Sequence, residues 1–78
     1  MSTTYEQLAA ILAKLHDTPP ERITPHVTFA ELDIDSLTMV EISMRVERDL
    51  GVAIDDNELR PDLTLGAATA LIDAKQAA

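Results

Sequence analysis

Two adjacent prolines, Pro19 and Pro20, end the first amphipathic run of this chain and force the next residues off a helical path. Before them, Tyr5, Leu8, Ile11, Leu12 and Leu15 recur on one helical face, and the spacing predicts a helix from about Thr4 to His16. Thr3 and Glu6 have capping-box spacing at its start. After this helix, roughly residues 17 to 35 form a long connection in which Ile23, Val27, Phe29 and Leu32 are spaced apolar anchors across a core. So long a loop in so small a domain is unusual and often functional.

A second helix is expected to start at Asp35 or Ser36 and to end near Leu50, with Asp35 as N-cap and Gly51 just past the C-terminus. Its apolar residues, Leu37, Val40 and Met44 together with Met39, Ile42, Val46 and Leu50, fill more than one stripe. Either this helix is buried on two sides or some of these groups face a partner. Val52 and Ile54 alternate with Ala53, but no second strand exists to pair with them. A short third helix is expected at about Asp56 to Leu59, stopped by Pro61. A fourth starts after Thr64 as cap, presents Leu65, Ala68, Leu71 and Ile72, and ends near Lys75, with a frayed tail at Gln76, Ala77 and Ala78. The expected fold is all-α: a small four-helix bundle, three main helices plus one short one, with a long ordered loop between helices 1 and 2.

Seventy-eight residues make one small domain, so residues 1–78 read as a single unit with a modest core. Only Tyr5 and Phe29 are aromatic, which leaves an aliphatic core that could admit a guest chain, with Met39 and Met44 as adaptable fillers. The chain has no cysteine, hence no disulfide, no thiolate nucleophile and no cysteine-based zinc site. No apolar run approaches a membrane span, the N-terminus lacks the pattern of a signal peptide, and a cytoplasmic monomer is the simplest reading. Net charge is −8, from fourteen acids against six bases. Residues 31 to 58 hold nine of those acids, opposed only by Arg45 and Arg48. Nucleic acid and anionic membrane are poor partners for such a surface, whereas proteins with basic patches are good ones. Solubility alone would also account for an acidic surface.

Ser36 is the sharpest candidate site. A hydroxyl at a helix N-terminus could bear a phosphodiester, because unsatisfied backbone N–H groups and the dipole favour phosphate there. A plain capping serine is the ordinary alternative. Serine-nucleophile catalysis is poorly supported: His16 and His26 are the only candidate bases, and no Gly-x-Ser-x-Gly elbow surrounds Ser36. A calcium loop beginning at Asp33-x-Asp35 fails, since Thr38 stands where glycine is needed and Met44 where glutamate is needed. No metal site and no catalytic residue is assigned.

The stretch Phe29-Ala30-Glu31-Leu32-Asp33-Ile34-Asp35-Ser36-Leu37-Thr38-Met39-Val40-Glu41-Ile42 closely resembles the signature of acyl carrier proteins. The likeness extends over nearly the whole chain, through Gly51-Val52-Ala53-Ile54-Asp55-Asp56 and the terminal helix from Leu65. It implies a carrier rather than an enzyme. Ser36 would receive 4′-phosphopantetheine from coenzyme A through a phosphopantetheinyl transferase. The thiol of that arm would hold acyl groups as thioesters, which removes any need for cysteine. Asp35 would support the attachment site or orient the transferase's magnesium. Leu37, Val40 and Met44 match positions that dock partner enzymes by apolar contact, and Glu41 and Glu47 match acids that meet basic patches on them. A ketosynthase, an acyltransferase and other fatty acid or polyketide synthase enzymes would be those partners.

The departures from the family pattern are informative. Many members have glycine where Asp33 stands. Leu32-Asp33-Ile34-Asp35-Ser36-Leu37-x-Met39-Val40-Glu41 looks instead like discrete, type II carriers of actinobacterial fatty acid and polyketide systems. Arg45 and Arg48 fall where fatty acid carriers tend to have neutral or acidic residues, which tilts the resemblance towards a specialised pathway. The competing class is a small acidic helical adaptor in which Ser36 only caps its helix.

Overall fold

A computed structural model describes residues 3–55 and 57–77 of the chain. Three α-helices, α1 (Thr4–His16), α2 (Ser36–Leu50) and α3 (Leu65–Ala77), carry the fold, and two single-turn 3-10 segments, Pro20–Arg22 and Ala30–Leu32, sit in the long connection between α1 and α2. The all-α expectation holds, and the described residues form no strand beyond an isolated antiparallel bridge between Thr28 and Thr64.

The helix boundaries reflect the capping chemistry. The Thr3 hydroxyl accepts from the Glu6 amide at 3.1 Å and the Glu6 carboxylate reaches back to the Thr3 amide at 3.3 Å, a complete capping box. α1 ends where Asp17 turns left-handed, ahead of the prolines. The Asp35 side chain caps α2, and Gly51, at φ +68, closes it by donating its amide to the Glu47 carbonyl. Thr64 caps α3 through its hydroxyl, which accepts from Ala67 at 3.1 Å. α3 runs past Lys75 to Ala77, and the Gln76 amide donates to the Leu50 carbonyl at 3.3 Å, so the tail is tied to the end of α2. Ala78 lies outside the described residues.

The short helix expected at Asp56 to Leu59 is reduced to a hydrogen-bonded turn. The Glu58 and Leu59 amides both donate to the Asp55 carbonyl, at 2.9 and 3.3 Å, and Asp56 itself lies outside the described residues. Pro61 comes too soon for a second turn to form.

Leu8, Ile11 and Leu12 of α1, Met39, Ile42 and Val46 of α2, and Leu65, Ala68 and Ile72 of α3 meet in one aliphatic core. The long connection contributes to it: Phe29 and Leu32 are fully buried, and Ile23 and Val27 pack against the cluster. Backbone bonds then stitch the connection to the segment before α3. Phe29 donates to Leu63, Ala30 to Pro61, Leu65 to Val27, and Gly66 to Pro25, at 2.9–3.2 Å. A Cβ at Gly66 would stand 3.0 Å from the Pro25 carbonyl oxygen, so this close approach calls for glycine. The Arg22 guanidinium donates to the Glu31 carbonyl at 2.6 Å and the Tyr5 hydroxyl to Ile23 at 3.2 Å. The loop is therefore held along its length, which fixes where it delivers the chain into α2. No helix of the described residues is long and apolar enough to cross a membrane.

Candidate functional site

The site begins at the junction of this stitched loop with α2. Leu32 is buried, Asp33 turns left-handed at φ 62, Ile34 is buried, and the chain then enters the helix at Ser36. The left-handed turn accounts for Asp33. Glycine adopts this conformation freely, and aspartate is one of the few other residues that tolerates it, so Asp33 can stand where carriers often have glycine.

Asp35 accepts the Thr38 backbone amide at 2.8 Å. That hydrogen bond, seconded by the Thr38 side chain, holds the Asp35 carboxyl below the ordinary aspartate value, and nearby His16 adds a smaller pull in the same direction. Ser36, the next residue, is exposed at the first position of the helix, and its hydroxyl makes no hydrogen bond with any described residue. Neither histidine engages it. His16 Nε2 lies 3.0 Å from the Leu32 carbonyl, where it braces the loop against α1, and His26 sits exposed in a turn. Among the described residues no cluster of three or more His, Cys, Asp or Glu could hold a metal ion.

Beyond Ser36 the helix has two apolar faces. Met39, Ile42 and Val46 point into the core. Leu37, Val40 and Met44 are 69%, 39% and 64% exposed, an open apolar strip that starts beside Ser36. Glu41 and Glu47 are exposed on the same outer surface. The expected site residues therefore lie together on the first turns of α2 and along its solvent face.

Two features escaped the sequence reading. A pocket of about 230 Å³ opens beside Ser36, lined by Met39, Val40, Ser43, Leu59 and Pro61. Ser43 is buried there, and its hydroxyl donates to the Met39 carbonyl at 3.0 Å, so it presents little free polarity to the pocket. Its position was readable in principle, since residues 36, 39, 40 and 43 share one side of a helix. Leu59 and Pro61 come from the distant turn, which the ion pair of Lys75 with Glu58 at 2.9 Å fastens to α3. That ion pair holds the Glu58 carboxyl below its ordinary value. The second unforeseen feature is the bracing role of His16.

The family model described as "Phosphopantetheine attachment site" matches residues 6–72. The meromycolate extension acyl carrier protein of Mycolicibacterium smegmatis is 39% identical over 77 residues, covering 92% of this chain and 78% of that protein. An acyl carrier protein of Thermosynechococcus vestitus is 37% identical over 78 residues, covering 99% of this chain and 96% of its own length. The granaticin polyketide synthase acyl carrier protein of Streptomyces violaceoruber is 41% identical over 51 residues, 65% of this chain and 60% of that one. With a family match that spans the fold from α1 to α3 and a relative covered over 96% of its own length, the chain belongs to the acyl carrier protein family, of the type II, actinobacterial-like kind, and serves as a phosphopantetheine-bearing carrier in fatty acid or polyketide synthesis.

Proposed function

We propose that Ser36 bears the 4′-phosphopantetheine arm, attached through its hydroxyl by a phosphopantetheinyl transferase with coenzyme A as donor. The observation that carries this is the free, exposed Ser36 hydroxyl at the first position of α2, next to the exposed apolar strip of Leu37, Val40 and Met44. Asp35 shapes the attachment point: by taking the Thr38 amide it fixes the turn that presents Ser36 to solvent. The positive end of the α2 dipole offsets part of the charge that a phosphodiester brings. The arm supplies the thiol that the chain lacks, and that thiol holds the acyl group as a thioester.

Partner enzymes with basic patches, a ketosynthase and an acyltransferase among them, dock on the outer face of α2. Leu37, Val40 and Met44 supply apolar contact, while Glu41 and Glu47 supply charge. The pocket beside Ser36 receives the first carbons of an acyl chain between docking events. It is small and mostly apolar, and Met39 and Leu59 in its wall belong to the buried core. The protein acts as a cytoplasmic monomer of one domain, and the catalytic steps belong to its partners.

Because the chain contains no cysteine, its thiol count reads loading directly. Incubation of the apo protein with coenzyme A, magnesium and a broad-specificity transferase, followed by removal of coenzyme A, is expected to give one titratable thiol per chain. The Ser36→Ala protein is expected to give none. Equal thiol content in the two proteins would rule out Ser36 as the attachment residue.

A further inference from the structure

The six basic residues fall into two sets. Arg22 donates to the Glu31 carbonyl, Arg60 pairs with Asp62 at 3.4 Å, and Lys75 pairs with Glu58 at 2.9 Å. The side chains of Lys14, Arg45 and Arg48 make no hydrogen bond or ion pair with any described residue. These three are also neighbours. Arg45 shares one groove between α1 and α2 with Lys14 and Asp49, and shares a wider one with Arg48, Leu15, Met44 and the acids Glu41 and Glu47. Half of the bases of a chain of net charge −8 are thus unpaired along the seam of α1 and α2, and Met44 joins that edge to the exposed apolar strip.

Glu41 and Asp49 stand four residues before and after Arg45, the spacing at which acids pair with bases on a helix, yet neither forms an ion pair with it. The cations are left available while acids lie within reach. A polyanion is a poor match for them, since fourteen acids on the same small body would repel nucleic acid or an anionic bilayer. A protein surface that carries charges of both signs fits, because it can answer the acids and the bases of this face together.

We propose that Lys14, Arg45 and Arg48 form a cationic docking edge that receives carboxylates of the partner enzyme, next to the basic patch that the partner presents to Glu41 and Glu47. The inference rests on docking through the outer face of α2. Two signs of charge along one helix fix the register in which a partner can sit, because a rotated or shifted partner brings like charges together. Enzymes with a uniformly basic docking surface are disfavoured, so the edge selects among synthases that could otherwise share the carrier.

The test uses two charge-reversed carriers, Arg45→Glu/Arg48→Glu and Glu41→Lys/Glu47→Lys, each loaded to the holo form and acylated. Each is assayed as substrate of the β-ketoacyl synthase from the same organism, with circular dichroism to show that the fold is retained. The arginine variant is expected to raise KM about fivefold with kcat nearly unchanged, as befits two rim charge pairs. Reversal of a facing carboxylate on the synthase is expected to restore it. An unchanged or lowered KM for the arginine variant, with a raised KM for the glutamate variant, would overturn the cationic edge and leave α2 docking in place. An unchanged KM for both would overturn docking through this face as well.

Discussion

Met39, Ile42 and Val46 on the inner side of α2 are sealed in the core, whereas Leu37, Val40 and Met44 on its outer side stand in solvent. The residue types are nearly the same, so hydrophobicity alone does not separate the two sets. Their surroundings do. The inner residues face Leu8, Ile11 and Leu12 of α1 and the aliphatic face of α3. The outer residues are flanked by Glu41 and Glu47, whose charges forbid burial against the same core without partners. One helix thus serves two surroundings: a permanent apolar interior on one side, and water on the other. An exposed apolar strip gains nothing for the folded monomer, which is why it points to association.

The comparison breaks most readily at Ile42. Ile42→Ala is expected to cost about 2–5 kcal/mol, because it removes fully buried atoms and leaves a cavity. Leu37→Ala is expected to change stability by no more than about 0.5 kcal/mol. Urea unfolding of the two variants reads both. Equal costs would mean that the outer strip is structural after all.

The entry to the helix gives a smaller effect with a defined pH signature. Asp35→Ala is expected to lower the urea midpoint modestly, through loss of the cap. The folded carboxyl titrates below its unfolded value, so its stabilisation is complete above the unfolded value and is lost as pH falls through the lower folded one. The Thr38 amide should track that loss in an NMR titration. A Thr38 amide shift that titrates at or above the ordinary aspartate value would contradict the cap. The smallest effect belongs to the outer charges. Glu41→Lys is expected to leave stability unchanged and to raise the KM of a partner enzyme, an effect that fades with added salt because exposed pairs are screened within about 8 Å at physiological ionic strength. A salt-independent KM would indicate docking by apolar contact alone.

Much of the fold was legible in the sequence because the signals are local. Capping residues Thr3, Asp35 and Thr64, the break at Pro19 and Pro20, and the left-handed closure at Gly51 act within a few residues of themselves. The same holds for Ser36, whose place at the head of α2 is set by Asp35 before it. The undecided matter was which stripe of α2 is buried, since that depends on where α1 and α3 pack. The pocket beside Ser36 needs Leu59 and Pro61, brought in by backbone bonds from Phe29 and Ala30 to Leu63 and Pro61 that no local pattern announces. The turn at Asn57–Leu59 shows the converse: acids that favour a helix start could not extend one with Pro61 so close.

The most direct test of the account is the intact mass of the protein and of its Ser36→Ala variant after incubation with coenzyme A, magnesium and a phosphopantetheinyl transferase. The account predicts the addition of one phosphopantetheine to the parent, mapped to the peptide that contains Ser36, and no addition to the variant. An addition to both proteins, or none to a folded parent that was not already modified, would contradict it.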